Sequence, residues 1–418
     1  MKKNFFLISY WINKTGNSPG IMADDIVESL LKLNCKLVIL SSYDCMKIQK
    51  QNVSHFRVPS ISLSDFWVET KNISGAFDLF LFIVLLPCIL TFGVFLDILE
   101  KFILKGKSGS KWIWSILASP VAIILSLTNR FDLIFSTGGP ACAHLTGVIL
   151  TFFTKKKLFS QLQDPLFGKD IGRSARSAKY LKLFEKLLLK RCYKLIFVTK
   201  SAAEESKIRN DSLKNKIFGI YTGAIPQKIN YSILKKNIDN KKKIHLTHLG
   251  TLYSSRNFKN LIKSIKNLSN RNLISLSNLR ILNLGDIYGE ELKKDCTKLY
   301  INWIASIDRH KALKKCLESD ILLLIQHTDD RSKLTFPYKL YDYLNIGKII
   351  FALTNNNELK NMLVKRGHIC ANVKDEKDIS KNLLHLIKNN KNISNNILKL
   401  RHKYKISHLQ QSKLMFEL

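Results

Sequence analysis

Acidic residues are scarce in this chain: 32 Asp+Glu face 67 Lys+Arg over 418 residues, a formal net charge of +35. Proline (8) and glycine (18) are too few for a collagen-like or low-complexity chain, and 46% hydrophobic with 24% charged residues is a globular mixture. The eight cysteines include no C-x-x-C pair and sit mostly inside apolar runs, which argues against a zinc ribbon and a disulfide framework and for reduced, buried thiols. No metal site is expected. G-x-G-x-x-G and G-x-x-x-x-G-K-[ST] are both missing. Their absence removes the dinucleotide-binding fingerprint and the P-loop. No cofactor is expected. The charge favours anionic partners, yet it is spread evenly and accompanies many Asn and Ile, the mark of Lys/Asn/Ile-rich coding. Without an RNP-type motif or interleaved aromatic and basic residues, nucleic acid is not expected as a partner.

What is present is a rhythm of apolar strands and amphipathic helices. Residues 4–11 form a first strand. Two lysines precede it, but the apolar run is too short for a signal peptide. A turn containing Gly16 and Gly20 leads into a helix on which Met22, Ile26 and Leu30 recur at i+4, and residues 36–42 form the next strand. Further strands are expected at 132–137, 157–161, 194–199 and 216–221, with helices at 141–153 and 175–191. A polar stretch with a lysine run, 222–243, reads as a linker, after which the pattern restarts with strands at 244–250, 279–285, 299–304, 321–326, 348–353 and 369–373. Near-continuous apolar strands separated by helices mean parallel sheets covered on both faces. The expected fold class is α/β, two Rossmann-like domains facing across a cleft. The first spans residues 1–225, the second 226–385, and a basic helical segment, 386–418, either returns to the first domain or lies on a surface.

Residues 79–96 are 18 positions without a charge, flanked by Asp78, Asp97 and a collar of lysines at 101, 105, 107 and 111. Three readings stand: a membrane span, a buried core element, and a segment dipping into one leaflet, with Pro87 and Gly93 weighing against a straight span. A membrane-associating segment over about 76–104 is the reading carried forward.

In open parallel sheets ligands bind at the carboxyl ends of strands. After the strand ending near residue 326, Pro337 suits the first helical position and Gly347 the residue past the end. The unpaired N–H groups and positive dipole of that helix start suit a diphosphate, with Lys333 and Lys339 adding charge. Asp342 lies on one face with Tyr338 and Lys339 and can accept hydrogen bonds from two ribose hydroxyls; a solvated Lys339–Asp342 surface pair is the plainer alternative. After the strand at 244–250, Gly250 precedes a helix with Arg256 at its entrance, where a guanidinium can hold two phosphate oxygens. In the first half, His144 and Asp164 each follow a strand and are the candidate catalytic residues, and each has an ordinary structural alternative.

The helix Phe336-Pro337-Tyr338-Lys339-Leu340-Tyr341-Asp342, closing with Gly347-Lys348, resembles the donor-binding element of retaining GT-B glycosyltransferases of the family-4 type. The Gly250…Arg256…Leu261 segment resembles their phosphate loop. Residues 132–144 followed by Gln161-Leu162-Gln163-Asp164-Pro165 resemble the first-domain stretch of polysaccharide-type members. The chain departs from the family's E-x7-E pattern, with Leu334 and Asp342 at the two acidic positions. The resemblance implies a nucleotide diphosphate sugar donor, no metal ion, retention of anomeric configuration, and a leaving diphosphate stabilised by Arg256, Lys339 and the helix start. It also implies that His144 contacts the transferred sugar or the acceptor. The acceptor it implies is a lipid-linked saccharide for a capsule or O-antigen, handled by a cytoplasmic protein lying peripherally on the inner face of the cell membrane against its anionic surface. Because of Leu334, a catalytically weakened GT-B protein acting as a binding partner is the alternative.

Overall fold

The computed structural model describes residues 3–14, 16–104, 111–166, 175–226, 243–298, 301–305, 307–400, 403 and 405–418. The chain forms two compact units, Met1–Thr222 together with His408–Leu418, and Gly223–Ser407.

The first unit carries seven parallel strands: β1 (Asn4–Ile8), β2 (Lys36–Ser42), β3 (Val53–Val58), β4 (Leu133–Gly138), β5 (Lys157–Leu162), β6 (Lys194–Phe197) and β7 (Ile217–Gly219), in the order β3-β2-β1-β4-β5-β6-β7. Phe5–Ile8 and every residue of β4 are buried, because helices cover both faces of a parallel sheet. The β1 helix, Ser18–Lys32, starts where the Asn17 side chain accepts a hydrogen bond from the Gly20 amide at 2.9 Å, and it buries Met22, Ile26 and Leu30.

Residues 45–130, where the sequence rhythm is weakest, hold β3 and the helices Leu63–Glu69 and Trp114–Thr128, none of which the periodicity announces. Between those helices runs Ala76–Ile103, 28 helical residues whose most apolar 18-residue window has a mean hydropathy of 2.8 and is only 17% buried. The sequence expects a charge-free segment here, and one of its readings, a buried core element, does not hold. Phe82 and Ile89 pack with Tyr43, Ile61, Phe66 and Ile113, whereas Phe77, Phe80, Phe92 and Phe102 lie 62–76% exposed. At Gly93 the helix meets the preceding loop so closely that a Cβ would lie 2.1 Å from the Ile61 carbonyl oxygen. Of the lysine collar, Lys111 pairs with Asp65, and positions 105 and 107 lie outside the described residues.

The helix His408–Phe416 belongs to the first unit. Phe416 packs edge-on to Phe5 (5.0 Å between ring centroids) and Phe135 (4.7 Å), Gln161 Nε2 reaches Met415 Sδ, and Lys194 pairs with Glu417 at 2.5 Å.

The second unit has six parallel strands: β8 (Ile244–Leu249), β9 (Leu279–Leu284), β10 (Asn302–Ile304), β11 (Ile321–Ile325), β12 (Ile349–Leu353) and β13 (Ile369–Ala371), ordered β10-β9-β8-β11-β12-β13. The order reverses between β8 and β11, which pair directly. Such a switch point leaves a crevice at the carboxyl ends of the two strands, where ligands of open α/β sheets bind. The strand expected over 299–304 is shorter, Asn302–Ile304, and most of the expected linker lies outside the described residues. The long basic helix Glu376–Leu400 stays with this unit, burying Ile379, Leu383, Leu386 and Ile397.

Candidate anion site at the strand switch point of the second unit

β11 is apolar throughout, while β8 mixes Ile244, Leu246 and Leu249 with His245, Thr247 and His248; their direct pairing in the sheet fixes where each strand stops and its loop begins. The helix after β11 runs Lys339–Ile346. It begins two residues later than Pro337, whose carbonyl accepts the Leu340 amide at 2.9 Å; Tyr338 is the cap residue and Gly347 ends the helix in the left-handed conformation. The loop before it is pinned from below: Gln326 Nε2 donates to the Thr335 carbonyl at 2.9 Å, and Asn356 Nδ2 to the Ser332 carbonyl at 2.8 Å.

Lys339 reaches back from the first turn to the end of β8. Its ammonium donates to His248 Nε2 and to the Leu249 carbonyl, both at 2.6 Å. Gly250, with φ +123°, leaves the necessary room, since a Cβ there would stand 3.3 Å from Lys339 Nζ. Gly285, with φ +145°, lets the loop after β9 touch the same turn, because a Cβ would lie 2.5 Å from the Gly250 carbonyl carbon. Lys339 keeps part of its surface open, but its ammonium sits deep. Burial, helped by the nearby Arg256 charge, holds it well below the ordinary lysine range. Burial and the Lys339 charge likewise keep His248 neutral.

Arg256 stands on a tight turn in which the Tyr253 and Arg256 backbones exchange hydrogen bonds at 2.9 and 3.0 Å, and its guanidinium lies 4.6 Å from the Tyr253 ring centroid. This turn is tied to the loop after β11: Ser255 Oγ donates to Asp329 Oδ2 at 2.5 Å and lies 2.9 Å from His327 Nδ1, while Tyr253 packs edge-on to His327. Tyr343 adds a second tie, accepting from the Leu249 amide (2.8 Å) and donating to the Leu323 carbonyl (3.2 Å). Two loops from neighbouring strands are thus fixed against one helix start, and two cations converge there.

The remaining residues singled out in the sequence fall as follows. Asp342 is buried on the same helix, one of its oxygens accepting from Arg309 Nη2 at 2.7 Å; Arg309 also lies 5.7 Å from the Tyr338 ring centroid. The Lys339–Asp342 surface pair does not form, since Lys339 turns to His248 and Asp342 to Arg309. Lys333 pairs with Asp330 at 2.7 Å on the surface, with 56% of its side chain exposed. In the first unit, His144 is fully buried with Nδ1 2.9 Å from Ser136 Oγ, and burial lowers it to about 4. Its Nε2 has no hydrogen-bond partner among the described residues. Asp164 is exposed after β5. Gly16 turns with φ +72°, and Gly20 lies in the first turn of the following helix. Gln163, beside Asp164, donates to the Pro19 carbonyl at 3.1 Å and so ties this turn to the end of β5. The sequence singled out none of His248, Asn283, Gly285 or Arg309. Polar residues near the ends of apolar strands (His248, Asn283) and a glycine just past one (Gly285) are the signals that mark the first three.

Two Rossmann-like parallel sheets in one chain, the second bearing a cationic strand-end site, define the GT-B fold. Solved structures of that fold align along the whole length. HepE from Anabaena in complex with UDP-glucose matches at TM-score 0.62 and 11% identity over 99% of this chain and 98% of its own. The α,α-trehalose-phosphate synthase (UDP-forming) of Burkholderia vietnamiensis matches at 0.63 and 9% over 99% and 98%. The catalytic domain of starch synthase IV from Arabidopsis thaliana, bound to ADP and acarbose, matches at 0.63 and 9% over 100% and 99%. No protein-family model matches the chain, and no curated protein matches it.

Proposed function

We propose that this protein is a glycosyltransferase whose second unit binds a nucleotide diphosphate sugar. The observation that carries the reading is the Lys339 ammonium, held beside Arg256 at a helix start with an imidazole and a carbonyl as its partners and, among the described residues, no carboxylate. Two converging cations and a helix dipole call for an anion, and a diphosphate supplies two charged groups at the right scale. As the sugar leaves, negative charge builds on that diphosphate, and preorganised cations stabilise it more in the transition state than in the ground state. The solved structures of this fold with UDP-glucose, UDP or ADP support the same ligand class.

The acceptor we propose is a lipid-linked saccharide of surface polysaccharide synthesis, such as a capsule or O-antigen, met at the cytoplasmic face of the cell membrane. The support is the helix Ala76–Ile103, whose outward phenylalanines are exposed among the described residues, together with the net charge of +35, which suits an anionic bilayer and a diphosphate-linked lipid. Retention of configuration and independence of metal ions follow from the resemblance of the Pro337–Asp342 segment to retaining enzymes.

The test is calorimetric titration with UDP, ADP and GDP, followed by release assays with the matching nucleotide sugars. One of the three nucleotides binds, and Arg256→Ala and Lys339→Ala each weaken it about tenfold or more, the worth of a charge-assisted hydrogen bond. Binding without turnover on any sugar or acceptor would favour the weakened binding partner, a reading that Leu334 at the first acidic position motivates.

A further inference from the structure

Lys339 is one end of a hydrogen-bond chain that runs through the interior of the second unit. Asn283 Nδ2 lies 2.6 Å from the Gly285 carbonyl, so the amide nitrogen points there and Oδ1 faces His248. His248 Nδ1 is 2.6 Å from that oxygen and must therefore carry the ring proton. Nε2 is then a bare lone pair, and the Lys339 ammonium donates to it at 2.6 Å. Every donor points the same way, from lysine to imidazole to amide to the backbone of Gly285. His248 and Asn283 are both fully buried. The far end of the chain closes on the starting point, because Gly285 packs against Gly250, beside Lys339 Nζ.

We propose that His248 and Asn283 are positioning residues: together they fix the direction of the Lys339 ammonium, so that two of its three N–H bonds are held by His248 and Leu249 and the third is aimed at the diphosphate. This rests on the donor-site reading above. The protein uses a neutral imidazole where a carboxylate would be the obvious partner, and the difference matters. A carboxylate would hold the ammonium too but would cancel the charge that the diphosphate needs. A neutral acceptor directs the cation and leaves its charge uncompensated. Asn283 is what makes the imidazole an acceptor. Replaced by aspartate, it would favour the imidazolium, which would turn an N–H toward the lysine and expel it. The charged and titratable groups around this chain are Arg256 from the β8 loop, Cys316, whose thiol burial pushes up to about 12, and Asp342 and Tyr343 on the lysine's own helix.

Two measurements test this on the full chain. Long-range 15N NMR of the imidazole rings, with His248 assigned by its loss in His248→Gln, reads the tautomer directly. The Nδ1–H form is expected, persisting at pH 5. Calorimetric titration with UDP (or whichever of ADP and GDP binds) between pH 6 and 9 is then run on the wild type, Lys339→Ala, Asn283→Leu, Asn283→Asp and His248→Gln, with thermal melts confirming that each is folded. Asn283→Leu is expected to weaken binding about tenfold at all pH values. Asn283→Asp weakens it most at the acid end, and His248→Gln, whose amide oxygen can accept from Lys339, keeps more of the affinity than Asn283→Leu. An Nε2–H tautomer overturns the relay. So do folded Asn283 variants that bind like the wild type while Lys339→Ala does not, and in that case the donor site itself stands. A wild-type protein that binds none of the three nucleotides overturns the donor reading and the proposed aim of the lysine with it.

Discussion

Arg309 donates to Asp342 at 2.7 Å, joining the helix Arg309–Leu317 to the helix that carries Lys339. Asp342 is 6% exposed and Arg309 21%, so this is a largely buried pair, and removing one partner leaves the other charge in a poor solvent. Asp342→Ala is expected to lower the unfolding free energy by about 3 kcal/mol in urea titrations. If Asp342 also holds a ribose, nucleotide affinity falls further than in Arg309→Met, whose carboxylate remains.

Nucleotide affinity should weaken with alkali earlier than an ordinary lysine would dictate. Lys339 sits well below its usual range of about 10.5, so it loses its charge at correspondingly lower pH, and an anion prefers the charged form. Calorimetry across pH 7–10 checks this, and the fall should vanish in Lys339→Ala.

Glu69 is fully buried, one oxygen accepting from the Ser60 amide at 2.9 Å and the other without a hydrogen-bond partner among the described residues. Burial first, then Asp65 and Asp44 nearby, raise it well above the ordinary carboxylate range. A group raised in the folded state adds stability that is complete at low pH and is lost as pH rises through its folded value. Glu69→Gln keeps the acceptor for Ser60 and should therefore melt higher than the wild type at neutral and alkaline pH, with the gap closing in acid.

His55 and His368 act in the opposite direction. Burial lowers them to about 4 and about 3, and positive neighbours, Arg57 and Arg366, add to it. Below pH ~6.5 the unfolded chain takes up protons that the folded one refuses, so stability is lost as pH falls from there. Urea midpoints should drop from pH 6.5 toward 4, and His368→Gln should flatten the slope.

The helix Ala76–Ile103 separates two kinds of residue. Phe82 is 2% exposed, and Phe82→Ala should cost about 3 kcal/mol of stability. Phe80, Phe92 and Phe102 face outward, and changing all three to Asp should leave the melt nearly unmoved while abolishing co-sedimentation with anionic vesicles. Unchanged sedimentation would remove the membrane reading.

Most strands of both sheets were legible because parallel strands are buried on two faces, as ILLLI in β11 and IIFAL in β12 show, whereas β3, VSHFRV at a sheet edge, was not. Lys339 and Arg256 were legible because a glycine at a strand end, or a proline ahead of a helix, marks where a loop opens above a sheet. His248 and Asn283 were not. Each sits inside a strand, and the strand pattern alone does not say that two such polar positions in adjacent strands stand side by side until the register pairs them directly. The region around the Ala76–Ile103 helix was opaque for a different reason. The helical stretches Ala76–Cys88 and Trp114–Thr128 are apolar on most sides, so their sequences carry little amphipathic signature.

The helix His408–Phe416 gives the first unit a chain order unlike its spatial order. Phe416 fills the space against Phe5 and Phe135, yet it is translated after the whole of the second unit. During synthesis the earlier sheet emerges with that hollow open and waits for the later one to be made. An arrested ribosome short of residue 408 would therefore display an N-terminal half with a bare aromatic seam, a natural target for chaperones, and a fragment of residues 1–222 should be recovered only when the peptide 408–418 is supplied with it.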